Sequence, residues 1–343
     1  MTTSAKVSSR VTSVSWIPSE AVRGLMKATF STGVSHYDAP PPAELGEVTD
    51  LATLREGDAF RFANDLSAWA VFDGDRAIEF GQDGGGVMGS TTVRVGPLDA
   101  TFAAVGMPEL RPEPIVAPGS VTFRQTVGGR TALPLPRRTS KPPYLRMQSP
   151  LVWTTLSLTL YADGRSEFDL VGASPFPRHW VYDGRGALAK KAGVADWKGW
   201  LGQPGWSATP WGDQESEVIT AEAESALERD LSALLMHGAL KPKIRSLQPG
   251  DDLARQGDPG DALFLVLDGI LDVSVDGAKV GDLGPGAVVG ERAVLEHATR
   301  TATLTAVTPV RVASAPADAV DRAALAELAG GHRREELLDA GPS

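Results

Sequence analysis

Leu156, Leu158 and Leu160 alternate with Ser157, Thr159 and Tyr161. A period of two sends successive side chains to opposite faces of a strand, so one face is buried and the other wet. Similar texture fills the chain to about residue 217. Short apolar and aromatic runs stand at Phe60–Phe62, Ala68–Phe72, Thr91–Val95, Val121–Gln125 and Leu151–Tyr161. Their β-branched and aromatic side chains suit a pleated, half-buried surface. Asp73-Gly74-Asp75, Gly128-Gly129, Asp163-Gly164 and Asp183-Gly184 separate such runs and read as turns, since glycine accepts the positive φ a tight turn needs. The first eight or so residues read as frayed. The pattern predicts one large β-rich domain over residues 1–217.

The period then changes. From Ala221 to Met236, apolar Ala223, Leu227, Leu231, Leu234 and Leu235 recur so as to share one helical face, opposite Glu222, Glu224, Glu228 and Arg229. Acidic residues near the start suit the positive end of a helix, and Gly238 suits its stop. This predicts a connecting helix over 218–237. In residues 238–343 short strands return at Ile244–Leu247, Leu263–Leu267, Ile270–Val275, Val288–Val289, Thr301–Val307 and Val310–Ser314. Turns at Pro249-Gly250, Asp258-Pro259-Gly260, Asp268-Gly269, Asp276-Gly277 and Gly284-Pro285-Gly286 punctuate them. That spacing predicts a barrel or jelly roll, closed by a helix carrying Val320, Ala324 and Leu328. The expected fold class is mainly β: a large N-terminal β-rich domain plus a C-terminal jelly roll with flanking helices.

Composition narrows the function. Of 343 residues, 33 are Lys or Arg and 43 are Asp or Glu, a net charge of -10. That disfavours binding to duplex DNA, which needs a basic face. Cysteine is absent, which excludes disulfides, Cys-ligated zinc, iron–sulfur clusters and thiol catalysis. The polar start lacks the apolar core of a signal peptide, and no apolar run reaches membrane-spanning length. A soluble, cytoplasmic protein is expected. Gly84-Gly85-Gly86 lacks the Gly-Lys-Ser/Thr of a phosphate loop and reads as a loop or hairpin. Gly128-Gly129-Arg130-Thr131 has Arg124 where such a loop requires glycine. His36, His179, His237 and His332 form no metal spacing with one another. His179 reads as a packed histidine rather than an acid–base group. Trp180, Trp197, Trp200, Trp206 and Trp211 read as a satellite core, with domain docking as the functional alternative. No catalytic or metal site emerges, so the sequence assigns no enzymatic activity.

One stretch does carry chemistry: Gly290-Glu291-Arg292-Ala293-Val294-Leu295, followed by Arg300-Thr301-Ala302. Glycine lets the backbone approach a ligand, and the small Ala293 leaves room for a phosphate. A carboxylate accepts hydrogen bonds from hydroxyls, and a guanidinium fork matches phosphate oxygens. Together they supply a phosphate clamp beside a sugar-hydroxyl acceptor. The segment resembles the phosphate-binding cassette of the cyclic nucleotide-binding domain family. The Gln256-Gly257-Asp258-Pro259-Gly260-Asp261 run, the Leu263–Gly269 run and Leu283-Gly284-Pro285-Gly286 match as well, so the resemblance covers about Leu240 to Leu328.

It implies a cyclic-nucleotide-binding jelly roll that takes cAMP or cGMP. Glu291 corresponds to the residue on the ribose 2′-hydroxyl and Arg300 to the one on the cyclic phosphate. Gly290, Ala293 and Thr301 stand where backbone N–H groups meet ribose or phosphate, and the Thr301 hydroxyl can reach phosphate or a guanine base. Arg292 replaces a usual apolar residue and is expected to face solvent. Gly331–Ser343 is too short for a helix-turn-helix. The expected protein is a cyclic nucleotide receptor signalling through its N-terminal domain, binding no DNA and no membrane, as a homo-oligomer or with a protein partner. Two alternatives stand beside it: a cyclic-nucleotide-regulated enzyme, and a scaffold whose orphan jelly roll pairs Glu291 with Arg300.

Overall fold

The alternation over Leu151–Tyr161 forms a strand whose Leu156, Leu158 and Leu160 are completely buried. In the computed structural model the described residues are all but 1–3, 35–37, 47, 96, 131–134, 139–141, 143, 149–150, 203–208, 213–215, 238–241, 297–298, 317–321 and 340–343. They divide into two units: residues 1–190 with 195–218, and residues 191–194 with 219–343. Strands dominate both.

In the first unit, Arg178–Tyr182, Ala5–Trp16, Phe62–Asp73 and Arg76–Met88 lie side by side in that order. A second sheet runs Ser166–Ala173, Leu151–Tyr161, Ser120–Arg130 and Val105–Gly106. Inward residues of both sheets, among them Val11, Leu66, Phe72, Phe123, Leu158 and Val181, form one core. The first strand starts at Ala5, so the start of the chain is ordered earlier than expected: its residues pair with Phe62–Phe72 along their whole length.

Gly128-Gly129 is not a turn but lies inside the Ser120–Arg130 strand. A Cβ on Gly128 would stand 2.5 Å from the Trp153 Cβ and from the Val152 carbonyl oxygen, so glycine here permits close packing. Gly84-Gly85-Gly86 likewise falls within a strand, Arg76–Met88. Gly84 has φ +109°, and side chains on Gly84 and Gly86 would strike the Asp65 carbonyl and Val127.

Part-way through the sandwich the interior turns polar. Gln125 Nε2 donates to Asn64 Oδ1 (2.9 Å), Asn64 Nδ2 to the Thr154 carbonyl (3.1 Å), and Ser13 and Thr154 share a hydroxyl bond of 2.9 Å. Ser15 Oγ lies 2.7 Å from His179 Nδ1, and His179 Nε2 lies 2.8 Å from the Ser174 carbonyl. His179 is thus a packed histidine. The tryptophans disperse: Trp197 and Trp200 pack on Phe176 at 4.9 and 5.1 Å, whereas Trp180 meets Trp16 at 5.2 Å. Trp211 donates to the Pro108 carbonyl at 2.7 Å. Trp206 and His36 lie outside the described residues.

The second unit stacks two four-stranded sheets. One runs Lys243–Leu247, Val310–Pro316, Ala262–Asp268 and Val288–Val289; the other runs Asp252–Ala254, Thr303–Ala306, Leu271–Val275 and Ala278–Leu283. Phe264, Val266, Leu271, Leu304 and Val312 fill the space between them. The Asp276-Gly277 turn joins two strands with φ of 52° and 81°, the geometry its sequence implies. Helix Ala226–His237 begins eight residues later than the 218–237 expected, because Thr220–Glu222 is a strand. Its Leu231 and Leu235 join Leu263, Leu265, Leu325 and Leu328 in a second core, while Leu234 of the expected stripe is 57% exposed. Helix Arg322–Asp339 continues through Gly330-Gly331, well past Leu328. Gly238 and Val320 lie outside the described residues.

Candidate functional site

Arg300 is held by its backbone before its side chain is considered. Its N–H donates to the Asp258 carbonyl (2.7 Å), and the Gly257 N–H donates back to the Arg300 carbonyl (2.9 Å). The side chain is 8% exposed. Nη2 donates to the Ala262 carbonyl at 3.0 Å, and the guanidinium lies 5.0 Å over the Phe264 ring. Nη1 is buried and meets no hydrogen-bond partner among the described residues. A buried, unsatisfied donor is costly, and a charged one more so. Burial pushes this guanidinium down from its usual pKa, while the fields of Asp261, Glu291 and Asp258 push it back up.

Gly290 stands beside that unpaired nitrogen. Its φ is +96°, and a Cβ there would strike Arg300 Nη1, so both conformation and space demand glycine. Directly after it, helix Glu291–Glu296 begins. Val294 N–H bonds back to the Gly290 carbonyl at 3.3 Å, so the three N–H groups before it precede any intrahelical acceptor. Glu291 and Ala293 are buried, at 5% and 2% exposure. Gly260 presses on the same spot, since a Cβ on it would collide with the Ala293 methyl and stand 2.9 Å from Arg300 Nε.

Gly290, Glu291, Ala293, Arg300 and Thr301, the five residues singled out in the sequence, all line one cavity of about 640 Å³. Thr301 is the exposed member. Val273, Val280, Leu283 and Leu304 give the cavity an apolar side, which suits the flat face of an aromatic ring. Arg292 also lines it and is partly buried, so it does not simply face solvent. Glu222, Ala223, Glu224, Ser225 and Glu228 form a further stretch of wall that the sequence did not suggest. Their signal was present in Ser225-Ala226-Leu227-Glu228, the spacing of a reciprocal helix cap. The cavity can therefore hold a small anion against a fixed cation, a hydroxyl against a buried carboxylate, and an apolar ring beyond them.

A family model described as "Cyclic nucleotide-binding domain" matches residues 244–326. This C-terminal segment is a cyclic nucleotide-binding domain, similar to the regulatory domains of cyclic-nucleotide-dependent kinases. The cGMP-dependent protein kinase egl-4 of Caenorhabditis briggsae is 44% identical over 63 residues, covering 18% of this chain and 8% of that protein. The cAMP-dependent protein kinase regulatory subunit of Yarrowia lipolytica is 31% identical over 136 residues, covering 36% of this chain and 35% of that one. The chain thus spans only a minor part of either relative. Among solved structures, the catabolite activator protein of Thermus thermophilus aligns at 25% identity and a TM-score of 0.27, covering 31% of this chain and 61% of that one. Among the described residues no helix is long and apolar enough to cross a membrane, and no cluster of three metal-ligating side chains occurs.

Proposed function

We propose that this chain is a cyclic nucleotide receptor whose cavity takes cAMP or cGMP. The observation that carries the reading is Arg300 Nη1, a buried guanidinium nitrogen without a partner among the described residues, on a cavity that Glu291 also lines. An orphan domain would have neutralised that charge internally; here the guanidinium is held from behind by Ala262 and Phe264 with one nitrogen left over. The cyclic phosphate supplies the missing acceptor. The Glu291 carboxylate accepts from the ribose 2′-hydroxyl, and the first N–H groups of its helix, with Gly290 and Ala293, complete the cradle. Thr301 offers a hydroxyl to the phosphate or to a purine edge. The apolar side of the cavity takes the base. Residues 1–218 then read out occupancy, with no DNA contact.

Titration calorimetry with cAMP and with cGMP tests this. The wild-type chain gives saturable heat with at least one of them. Arg300→Ala leaves a desolvated phosphate unpaired and weakens binding by about 2–5 kcal/mol, roughly 30-fold or more. The loss falls on both nucleotides alike, because both carry the same phosphate. Absence of heat from the wild-type chain with either nucleotide overturns the reading.

A further inference from the structure

Glu222, Ala223, Glu224, Ser225 and Glu228 line the cavity yet lie ahead of residue 244, outside the segment that matches the family. These residues form one stretch of the pocket wall. Several bonds hold it. Ser225 and Glu228 cap their helix reciprocally: the Ser225 N–H donates to Glu228 Oε2 (3.0 Å) and the Glu228 N–H to Ser225 Oγ (3.2 Å). The other Glu228 oxygen accepts the Val288 N–H at 3.2 Å, and Ser232 Oγ donates to the Gly286 carbonyl at 2.9 Å. Glu224 receives the Lys191 ammonium on one oxygen and Arg229 Nε on the other, the latter at 3.3 Å. Lys191 Nζ also lies 3.5 Å from the Pro285 carbonyl. Gly286 packs so closely on Glu224 that a Cβ would stand 2.7 Å from the carboxylate.

Four of these contacts, from Glu228, Ser232, Lys191 and Glu224, land on residues 285–288, just ahead of Val289-Gly290-Glu291. That turn delivers the cassette to Arg300. The Lys191 and Glu224 side chains are only 4% and 5% exposed, so the pair is desolvated, whereas Arg229 is 32% exposed. Removing one member of a desolvated pair leaves an uncompensated buried charge; replacing both by apolar groups keeps the packing without it.

We propose that Lys191 and Glu224 are positioning residues of the nucleotide site: their buried ion pair clamps the 222–228 wall onto the 284–288 turn, which orients Gly290 and Glu291 and slows escape of the ligand. This rests on the receptor reading above. With Lys191 gone, the Glu224 carboxylate moves toward water beside Arg229, and the wall loosens.

The test is stopped-flow dissociation of 8-fluorescein-labelled cAMP and cGMP from the full chain. Lys191→Met speeds release about tenfold with association nearly unchanged, the usual pattern when contacts rather than encounter are altered. Adding Glu224→Leu to Lys191→Met returns release to within about threefold of wild type, because the stranded carboxylate is gone. A purely structural role would lower the melting temperature of Lys191→Met and leave its release rate unchanged. Wild-type release from Lys191→Met, or a double variant as fast as the single one, overturns the proposal. If Lys191→Met does not fold, hydrogen exchange of the wild-type chain decides: slower exchange over 221–228 on adding nucleotide supports it, and no change there overturns it. Wild-type binding that is lost in Arg300→Ala but indifferent to Lys191→Met sinks this proposal alone. A wild-type chain that binds neither nucleotide sinks the receptor reading with it.

Discussion

His179 is bonded at both ring nitrogens: Nε2–H donates to the Ser174 carbonyl, and in the neutral ring Nδ1 accepts from the Ser15 hydroxyl. Burial pushes its pKa down to about 4; the Ser174 carbonyl opposes this, and nearby Arg178 adds to it. The unfolded chain takes up this proton near pH 6.5, while the folded chain does so only near pH 4. Stability from this residue is therefore complete above pH 6.5 and drains away as pH falls toward 4, by ~3 kcal/mol in all. His179→Gln, which cannot titrate, is expected to be less stable than wild type at pH 7.5 and to close that gap by pH 4.5 in urea unfolding. Parallel profiles would contradict the assignment. The place of Arg300 on the cavity was anticipated through the resemblance of Gly290–Ala302 to a phosphate-binding cassette. The role of His179 was visible only as a default, because its partners Ser15 and Ser174 are set by strand pairing that local pattern does not encode.

Elements were legible where one local rule decided them. The Leu151–Tyr161 alternation and the Asp276-Gly277 turn needed only neighbours in sequence. Gly84–Gly86 and Gly128-Gly129 misled because glycine serves two purposes. It can turn a chain, or it can let two chains touch, and Trp153 or Val127 must be in place before the second shows. The helix start was missed for a related reason: nothing in Thr220–Glu222 breaks the helical pattern locally, but pairing in a strand outweighs propensity. The Ser225–Glu228 cap marks the true start. Ser225→Ala removes a cap worth about 1 kcal/mol, and the melting temperature of the second unit is expected to fall by about 4 °C. Ser225→Asp should keep most of that stability. An unchanged melting temperature in Ser225→Ala would show that the hydroxyl bond contributes nothing.

At the scale of the whole chain, two β-rich units differ in what their interiors contain. The first carries a polar layer between its buried apolar residues; the second keeps a cavity lined by a cation. If residues 1–218 read out the ligand, cAMP or cGMP at saturating concentration changes rates of limited proteolysis in both units. Protection confined to residues 219–343 would instead mark the domain as a contact module without output. The units also share the chain unevenly. Lys191–Val194 belongs to the second unit although the sequence on both sides of it belongs to the first. A gene trimmed to begin at Ile219 would discard the ammonium that neutralises Glu224, and one ending at Val218 would keep a four-residue stub with its partners missing. Expressing the halves separately would yield two injured fragments, and a failure of the shorter one to hold a ligand would report on the scissors rather than on the protein.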